Sequence, residues 1–208
     1  MSNIFDIFKQ LETQKSSASG PIEWLVVGLG NPGKEYENTR HNAGFIAISL
    51  LAEKCGVRIN KSKFKSLIAE TTISDNRVLL MMPQTYMNNS GEAVAEAANF
   101  YKIPPERILV FSDDISLDVA KTRVRRKGSH GGQKGLKSIG EHLGSTDFPR
   151  VKLGVGQKPH PQYDLAAWVL SNFSADERKL MNEAAEHAVD ACRLILSGKT
   201  DEAMNRFN

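Results

Sequence analysis

His41 is the residue of this chain best suited to moving a proton. An unperturbed histidine titrates near about 6.5, so a modest shift lets it take and return a proton at neutral pH. It falls in residues 28–44, GLGNPGKEYENTRHNAG, which hold four glycines, one proline and three asparagines. An apolar run, Trp24-Leu25-Val26-Val27, precedes them and an apolar helical pattern follows. Few cores need so many special-backbone and amide residues in one strand-to-helix connection, whereas a binding or catalytic loop does. Asp113 ends a second apolar run, residues 108–112, at the kind of sheet edge where α/β proteins build their sites. A carboxylate there could accept from one ring nitrogen of His41 and fix its tautomer, freeing the other nitrogen to act on water.

Asn31 and Asn88 are the matching amides. A carboxamide donates to a developing oxyanion while accepting from a ligand N–H. Asn88 lies in PQTYMNNSG, residues 83–91, between an apolar strand pattern and an alanine-rich helix pattern. Helix capping accounts for Asn89 or Ser90 and leaves Tyr86, Met87 and Asn88 unexplained. A third loop, GSHGGQKG at 128–135, has glycines that permit close approach of backbone to a ligand. It sits in a stretch between Asp118 and Glu141 with no acid and seven bases: Lys121, Arg123, Arg125, Arg126, Lys127, Lys134 and Lys137. Arg150, Lys152 and Lys158 follow. A phosphate-contacting loop is the favoured reading, with a flexible surface loop as the alternative.

Other chemistries fit less well. Gly28-x-Gly30-x-x-Gly33 matches a dinucleotide fingerprint, but Pro32 interrupts it and the helical stripe begins about ten residues late. No Gly-x-Ser-x-Gly elbow is present. Cys55 and Cys192 fit neither a zinc spacing nor a disulfide framework, which points to a reducing, cytoplasmic setting. Asp113-Asp114 could begin a metal site, yet no companion cluster of ligands accompanies it, and no metal or cofactor is expected.

The elements that must position these residues alternate between strand and helix patterns. Strands are predicted at 23–28, 66–73, 78–82, 108–112, 121–126 and 151–156, and helices at 42–55, 91–101, 135–143, 175–196 and 200–206. Asp75-Asn76 is read as the turn joining the second and third strands as a hairpin, so the sheet is expected to be mixed. Residues 61–65, KSKFK, alternate as an exposed strand face does. Ser174 is placed as the N-cap of the long helix, with Asp176 and Glu177 in its first turn and Gly198 after its end. The prediction is a single α/β domain, a twisted mixed β-sheet surrounded by helices, over residues 22–208. Residues 1–21 are expected to form a flexible extension, with one amphipathic turn through Ile4, Phe5, Ile7 and Phe8. At 208 residues the chain supports one domain, and its apolar runs fall well short of the roughly 18 residues of a membrane span.

Four ordered blocks carry a resemblance. Gly28-Leu29-Gly30-Asn31-Pro32-Gly33 with Tyr36 and Thr39-Arg40-His41-Asn42-Ala43-Gly44, then residues 83–91, Ser112-Asp113-Asp114 and residues 128–137 are similar to the signatures of bacterial-type peptidyl-tRNA hydrolases. The resemblance runs from about Trp24 to the C-terminus. It implies a monomeric α/β hydrolase that cleaves the ester between a peptide and the ribose at the tRNA 3′ end. Carried onto this chain, His41 is the catalytic base, Asp113 its orienting partner, and Asn31 and Asn88 hold peptide or water. Tyr36, Met87, Asn42 and Lys134 contact the substrate, and Arg123, Arg125 and Lys152 meet tRNA phosphate. Two positions depart from the family: Lys134 stands where asparagine is usual, and Ser116 where an acid is common. A related plant group serves in intron splicing without hydrolysis, and a non-catalytic RNA-binding module is the rival reading. Retention of Asn31, His41, Asn88 and Asp113 favours the enzyme.

Overall fold

The structure, a computed structural model, describes residues 20–208. The turn expected through Ile4, Phe5, Ile7 and Phe8 lies outside the described residues. The strands are β1 (Trp24–Gly28), β2 (Lys61–Lys63), β3 (Ser66–Ile73), β4 (Asn76–Pro83), β5 (Ile108–Asp114), β6 (Thr122–Arg125) and β7 (Arg150–Gly154). The helices are α1 (Ala43–Lys54), α2 (Ser90–Tyr101), α3 (Lys134–Leu143), α4 (Leu165–Val169), α5 (Ala175–Leu196) and α6 (Thr200–Phe207).

One mixed sheet runs in the order β2-β3-β4-β1-β5-β7-β6. β1 pairs in parallel with β4 and β5, and β5 in parallel with β7, while β2, β3 and β6 join antiparallel at the two flanks. The four central strands therefore end at one edge, and that edge carries Gly28, Pro83, Asp114 and Gly154. Period-2 alternation divides the core. Val26, Leu80, Leu109 and Phe111 face α1, α5 and α6, whereas Leu25, Val27, Leu79, Met81, Ile108 and Val110 face α2 and α3. Strands buried on both faces need continuous apolar sequence, which is why β1 and β5 read as unbroken runs.

The glycines of the first motif serve packing. A Cβ on Gly28 would lie 2.5 Å from the Gly44 carbonyl oxygen, and one on Gly44 would lie 2.4 Å from Leu29 N and Phe111 O. Together they let the start of α1 lie against the ends of β1 and β5, with Phe45 N donating to Leu29 O at 3.1 Å. This contact sets the height of the Arg40–Asn42 turn, and hence of His41, over the sheet edge. Gly44→Ala should therefore destabilise the fold by roughly 3 kcal/mol or more, because backbone rather than a movable side chain blocks the new methyl. Chemical denaturation checks this, and a loss under about 1 kcal/mol contradicts it.

Two local expectations are corrected. The hairpin turn is Ser74-Asp75, both in the left-handed region with φ of 49° and 63°, and Asn76 instead pairs with Ile73. Two consecutive positive φ values are what a tight I′ hairpin requires. The alternation over 61–65 stops at Lys63, since Phe64 and Lys65 turn the chain with φ of 52° and 49° and Phe64 is buried. The capping box is as expected: Glu177 N donates to Ser174 Oγ and Ser174 N to Glu177 Oε2. Helix α4 was absent from the sequence reading, being too short for a periodic pattern.

Candidate active site

A cleft of about 630 Å³ opens where β1, β4 and β5 end, the place where open α/β sheets bind ligands. His41 and Asp113 meet there across 72 positions of chain: His41 Nδ1 lies 2.8 Å from Asp113 Oδ2. The carboxylate is almost fully buried and the imidazole nearly so, at 3% and 12% side-chain exposure. A carboxylate accepts only, so Nδ1 donates this bond and Nε2 is the ring nitrogen left to the cleft. The strand places Asp113, and the turn between Thr39 and Ala43 places His41.

Asn31 lines the same cleft, with a carboxamide fixed by its surroundings. Met87 N donates to Asn31 Oδ1 at 2.9 Å, which leaves the Asn31 NH₂ group as the cleft-facing donor. Behind it, Asn42 uses both ends of its amide. Asn31 N donates to Asn42 Oδ1 at 2.8 Å, and Asn42 Nδ2 donates to Asn31 O at 3.0 Å. Asn42 is 2% exposed and is not among the residues lining this cleft, and its amide holds the Asn31 backbone at both ends. Asn88 is exposed at the cleft beside Met87. Neither Asn89 nor Ser90 caps α2 through its side chain, and Ser90 Oγ donates to Met87 O. Tyr36 stands apart from the cleft in the Lys34–Tyr36 turn, where its carbonyl accepts from Thr39 N and Oγ1. Tyr86, which capping left unexplained in the sequence, lines the cleft with φ 58° and ψ 160°, a backbone strained by about 1–3 kcal/mol in a non-glycine residue.

The glycine-rich loop forms a further wall through His130, Gly131, Gly132, Gln133 and Lys134. Gly128, Gly131 and Gly132 all have positive φ, so their type is a backbone requirement. Buried Arg150 holds this loop, donating to the carbonyls of Gly128 (2.7 Å), Ser129 (3.2 Å) and Thr146 (2.7 Å). Burial pushes its guanidinium down to about 10, which still leaves it a cation at neutral pH. Gln133 was overlooked in the sequence. Its Nε2 donates to Asp113 Oδ1 at 3.0 Å while its Oε1 accepts from Leu136 N at 2.7 Å. The signal available was its place directly before the helix pattern.

Lys152 lines the cleft, held by Asp114 at 2.9 Å. Burial works to raise the Asp114 carboxyl, but hydrogen bonds from Ser116 and Lys152 outweigh it and hold the group below its ordinary range. Ser116 N and Oγ both donate to Asp114 Oδ1, which gives the serine at that position a role. Arg123 pairs with Lys152 and Arg125 with Arg150 in register, so these four bases share one face of the β6–β7 pair. Among the described residues no group of three His, Cys, Asp or Glu could hold a metal ion. Burial raises both the Cys55 and Cys192 thiols, so neither is an activated nucleophile.

A last wall comes from α4. Leu165, Val169 and Leu170 line the cleft, and Leu165 and Leu170 remain 42% exposed. Arg40, next to His41, ties this segment down: it donates to Val155 O, Ser171 Oγ and Glu177 and stacks 3.9 Å over Trp168. The cleft thus joins an apolar part suited to side chains to a smaller polar and cationic part.

Fold and site together define a single-domain α/β hydrolase with a histidine–carboxylate pair at the carboxyl edge of its sheet. The family model for peptidyl-tRNA hydrolase matches residues 25–208. The chain is 50% identical over 185 residues to the peptidyl-tRNA hydrolase of Clostridium novyi, covering 89% of this chain and 97% of that protein. It is 48% identical to that of Thermoanaerobacter sp., covering 89% and 99%. The crystal structure of peptidyl-tRNA hydrolase from Acinetobacter baumannii superposes with a TM-score of 0.84 at 37% identity, covering 89% of this chain and 94% of that one. The chain belongs to the peptidyl-tRNA hydrolase family, and its activity is hydrolysis of peptidyl-tRNA, a function in translation. Among the described residues, no helix is long and apolar enough to cross a membrane.

Proposed function

We propose that His41 acts as the general base of this hydrolysis and Asp113 as its orienting partner, supported above all by the 2.8 Å Nδ1–Oδ2 bond inside the cleft. His41 Nε2 takes a proton from water as the water oxygen bonds to the ester carbonyl carbon. The resulting imidazolium faces ionised Asp113. Collapse of the tetrahedral intermediate breaks the bond to the ribose oxygen, which receives the proton from Nε2. The products are a free peptide acid and tRNA bearing its ribose hydroxyl. The NH₂ group of Asn31, its orientation set by Met87 N, donates to the oxyanion or to a peptide carbonyl, and Asn88 pairs with the peptide backbone. An ester yields to activated water, so no covalent nucleophile is required. The working form is a cytoplasmic monomer.

The apolar wall of Tyr86, Met87, Leu165 and Val169 takes the peptide, and the face of Arg123, Arg125 and Lys152 takes tRNA phosphate. Lys134, at the first turn of α3, adds a donor and a charge on the tRNA side of the cleft. Incubation with N-blocked aminoacyl-tRNA, without metal or nucleotide, should release the acyl group. Unblocked aminoacyl-tRNA should be spared, because an ammonium among carboxamides is poorly paired. Equal hydrolysis of both overturns the assignment of Asn31 and Asn88 to the peptide. Binding without release would mark the rival RNA-binding module.

Arg123→Ala or Arg125→Ala should raise KM and leave kcat close to wild type. Each lost phosphate contact should flatten the slope of log KM against log salt by about 0.7–0.9. An unchanged slope in both variants removes these arginines from tRNA binding.

A further inference from the structure

We infer that Gln133 is a positioning residue for the histidine–carboxylate pair, an inference that rests on the reading of His41 and Asp113 as the catalytic base and its partner. The Gln133 amide cannot flip without loss, because Oε1 is committed to Leu136 N at 2.7 Å as the N-cap of α3. Its NH₂ group is thereby aimed at Asp113 Oδ1 at 3.0 Å, with Met87 Sδ also 3.0 Å away. The two Asp113 oxygens are then divided: Oδ1 takes Gln133 and Oδ2 takes His41. This division fixes the carboxylate plane and hence the direction in which the imidazole presents Nε2. It also gives the buried Asp113 carboxylate, 4% exposed, a second hydrogen-bond donor beside His41.

Two features set Gln133 apart from an ordinary cap. Serine, threonine, aspartate and asparagine are the favoured N-caps, and glutamine is not among them. A shorter residue would cap α3 equally well and fall short of Asp113. The side chain is also confined, since a Cβ on Gly135 would lie 2.7 Å from Met87 Sδ and 3.1 Å from Gln133 Oε1. The first turn of α3, the Met87 side chain and the carboxylate thus form one packed unit around the glutamine.

Gln133→Glu separates the two roles. A carboxylate at a helix N-cap accepts from Leu136 N at least as well as the amide, so the cap survives. The amide donor to Asp113 is lost, and a second carboxylate is set against Asp113 across the same gap. The expected result is a folded protein with a thermal midpoint lowered by the like-charge contact, an unchanged KM, and kcat at neutral pH lower by about 10- to 100-fold, the loss expected for one hydrogen bond to a buried charge. Wild-type kcat in folded Q133E overturns the inference and leaves Gln133 a cap. Should Q133E fail to fold, Gln133→Met carries the test, since it deletes the donor without adding charge. A kcat drop per folded molecule then supports the inference, and wild-type kcat overturns it. Asp113→Asn measured in parallel distinguishes the two readings. If D113N keeps wild-type turnover, the His41–Asp113 assignment itself fails. If D113N is inactive while Q133E is not, only the role of Gln133 fails.

Discussion

Replacing His41 with alanine should lower kcat by roughly 10²- to 10⁴-fold, the usual contribution of a positioned general base, with little change in KM. The split follows from what the side chain touches. Its hydrogen bond runs to Asp113, and its remaining exposure is to the cleft. The turn that carries it is held by neighbours: Arg40 N donates to Ser171 O, Asn42 N to Thr39 O, and the Arg40 guanidinium to Val155 O and Glu177. Removing the imidazole therefore leaves the backbone of residues 39–43 in place and the cationic face untouched. Binding of N-blocked aminoacyl-tRNA should persist with its salt dependence intact, which separates a chemical defect from a folding one. Asp113 then faces the void as a buried carboxylate, still bonded to Gln133. Its desolvation should cost about 1–3 kcal/mol of stability. Retention of wild-type turnover would remove His41 from the mechanism, and a parallel rise in KM would mean that the ring contacts substrate in the ground state.

Much of this site was legible in the sequence because its parts obey one-dimensional rules. β1 and β5 read as apolar runs because both of their faces are buried, and sites in such folds gather where parallel strands end. That places Asn31, Asn88 and Asp113, which follow or end β1, β4 and β5, at one edge before any contact is known. What stayed hidden depends on pairing in space. Asn42 reads as one more amide in a loop, and only its reciprocal bonds with Asn31 reveal that both of its ends are occupied. The glycines of residues 28–44 suggested a ligand-binding backbone, whereas Gly28 and Gly44 answer to the contact between α1 and the ends of β1 and β5. Arg150 read as part of a basic surface, yet it is buried and spends its donors on the carbonyls of the cleft loop. Charge in a sequence does not distinguish a solvated cation from one that organises a loop.

Asp113→Asn should be at least as damaging as loss of the histidine, at roughly 10³- to 10⁴-fold in kcat, through the tautomer rather than through any missing contact. The asparagine is isosteric, so the question is which end of its amide faces the imidazole. Gln133 Nε2 is a donor and demands oxygen at the Oδ1 position. The amide nitrogen is then forced to the site of Oδ2, 2.8 Å from His41 Nδ1. An N–H directed at Nδ1 requires that nitrogen to be unprotonated, which puts the ring hydrogen on Nε2 and removes the lone pair that takes the water proton. Binding should survive and turnover should not. The same reasoning predicts a partial recovery that a simple loss of charge does not. In the double variant Asp113→Asn, Gln133→Glu, the glutamate offers only acceptors, so the asparagine turns its nitrogen toward residue 133 and its oxygen toward His41. Nδ1 regains a partner that holds its hydrogen, and the net charge of the cluster is restored. The double variant should therefore exceed Asp113→Asn in kcat by about tenfold, the worth of roughly 1.4 kcal/mol of recovered transition-state stabilisation. Additive loss in the double variant would instead mean that Gln133 does not set the orientation of residue 113.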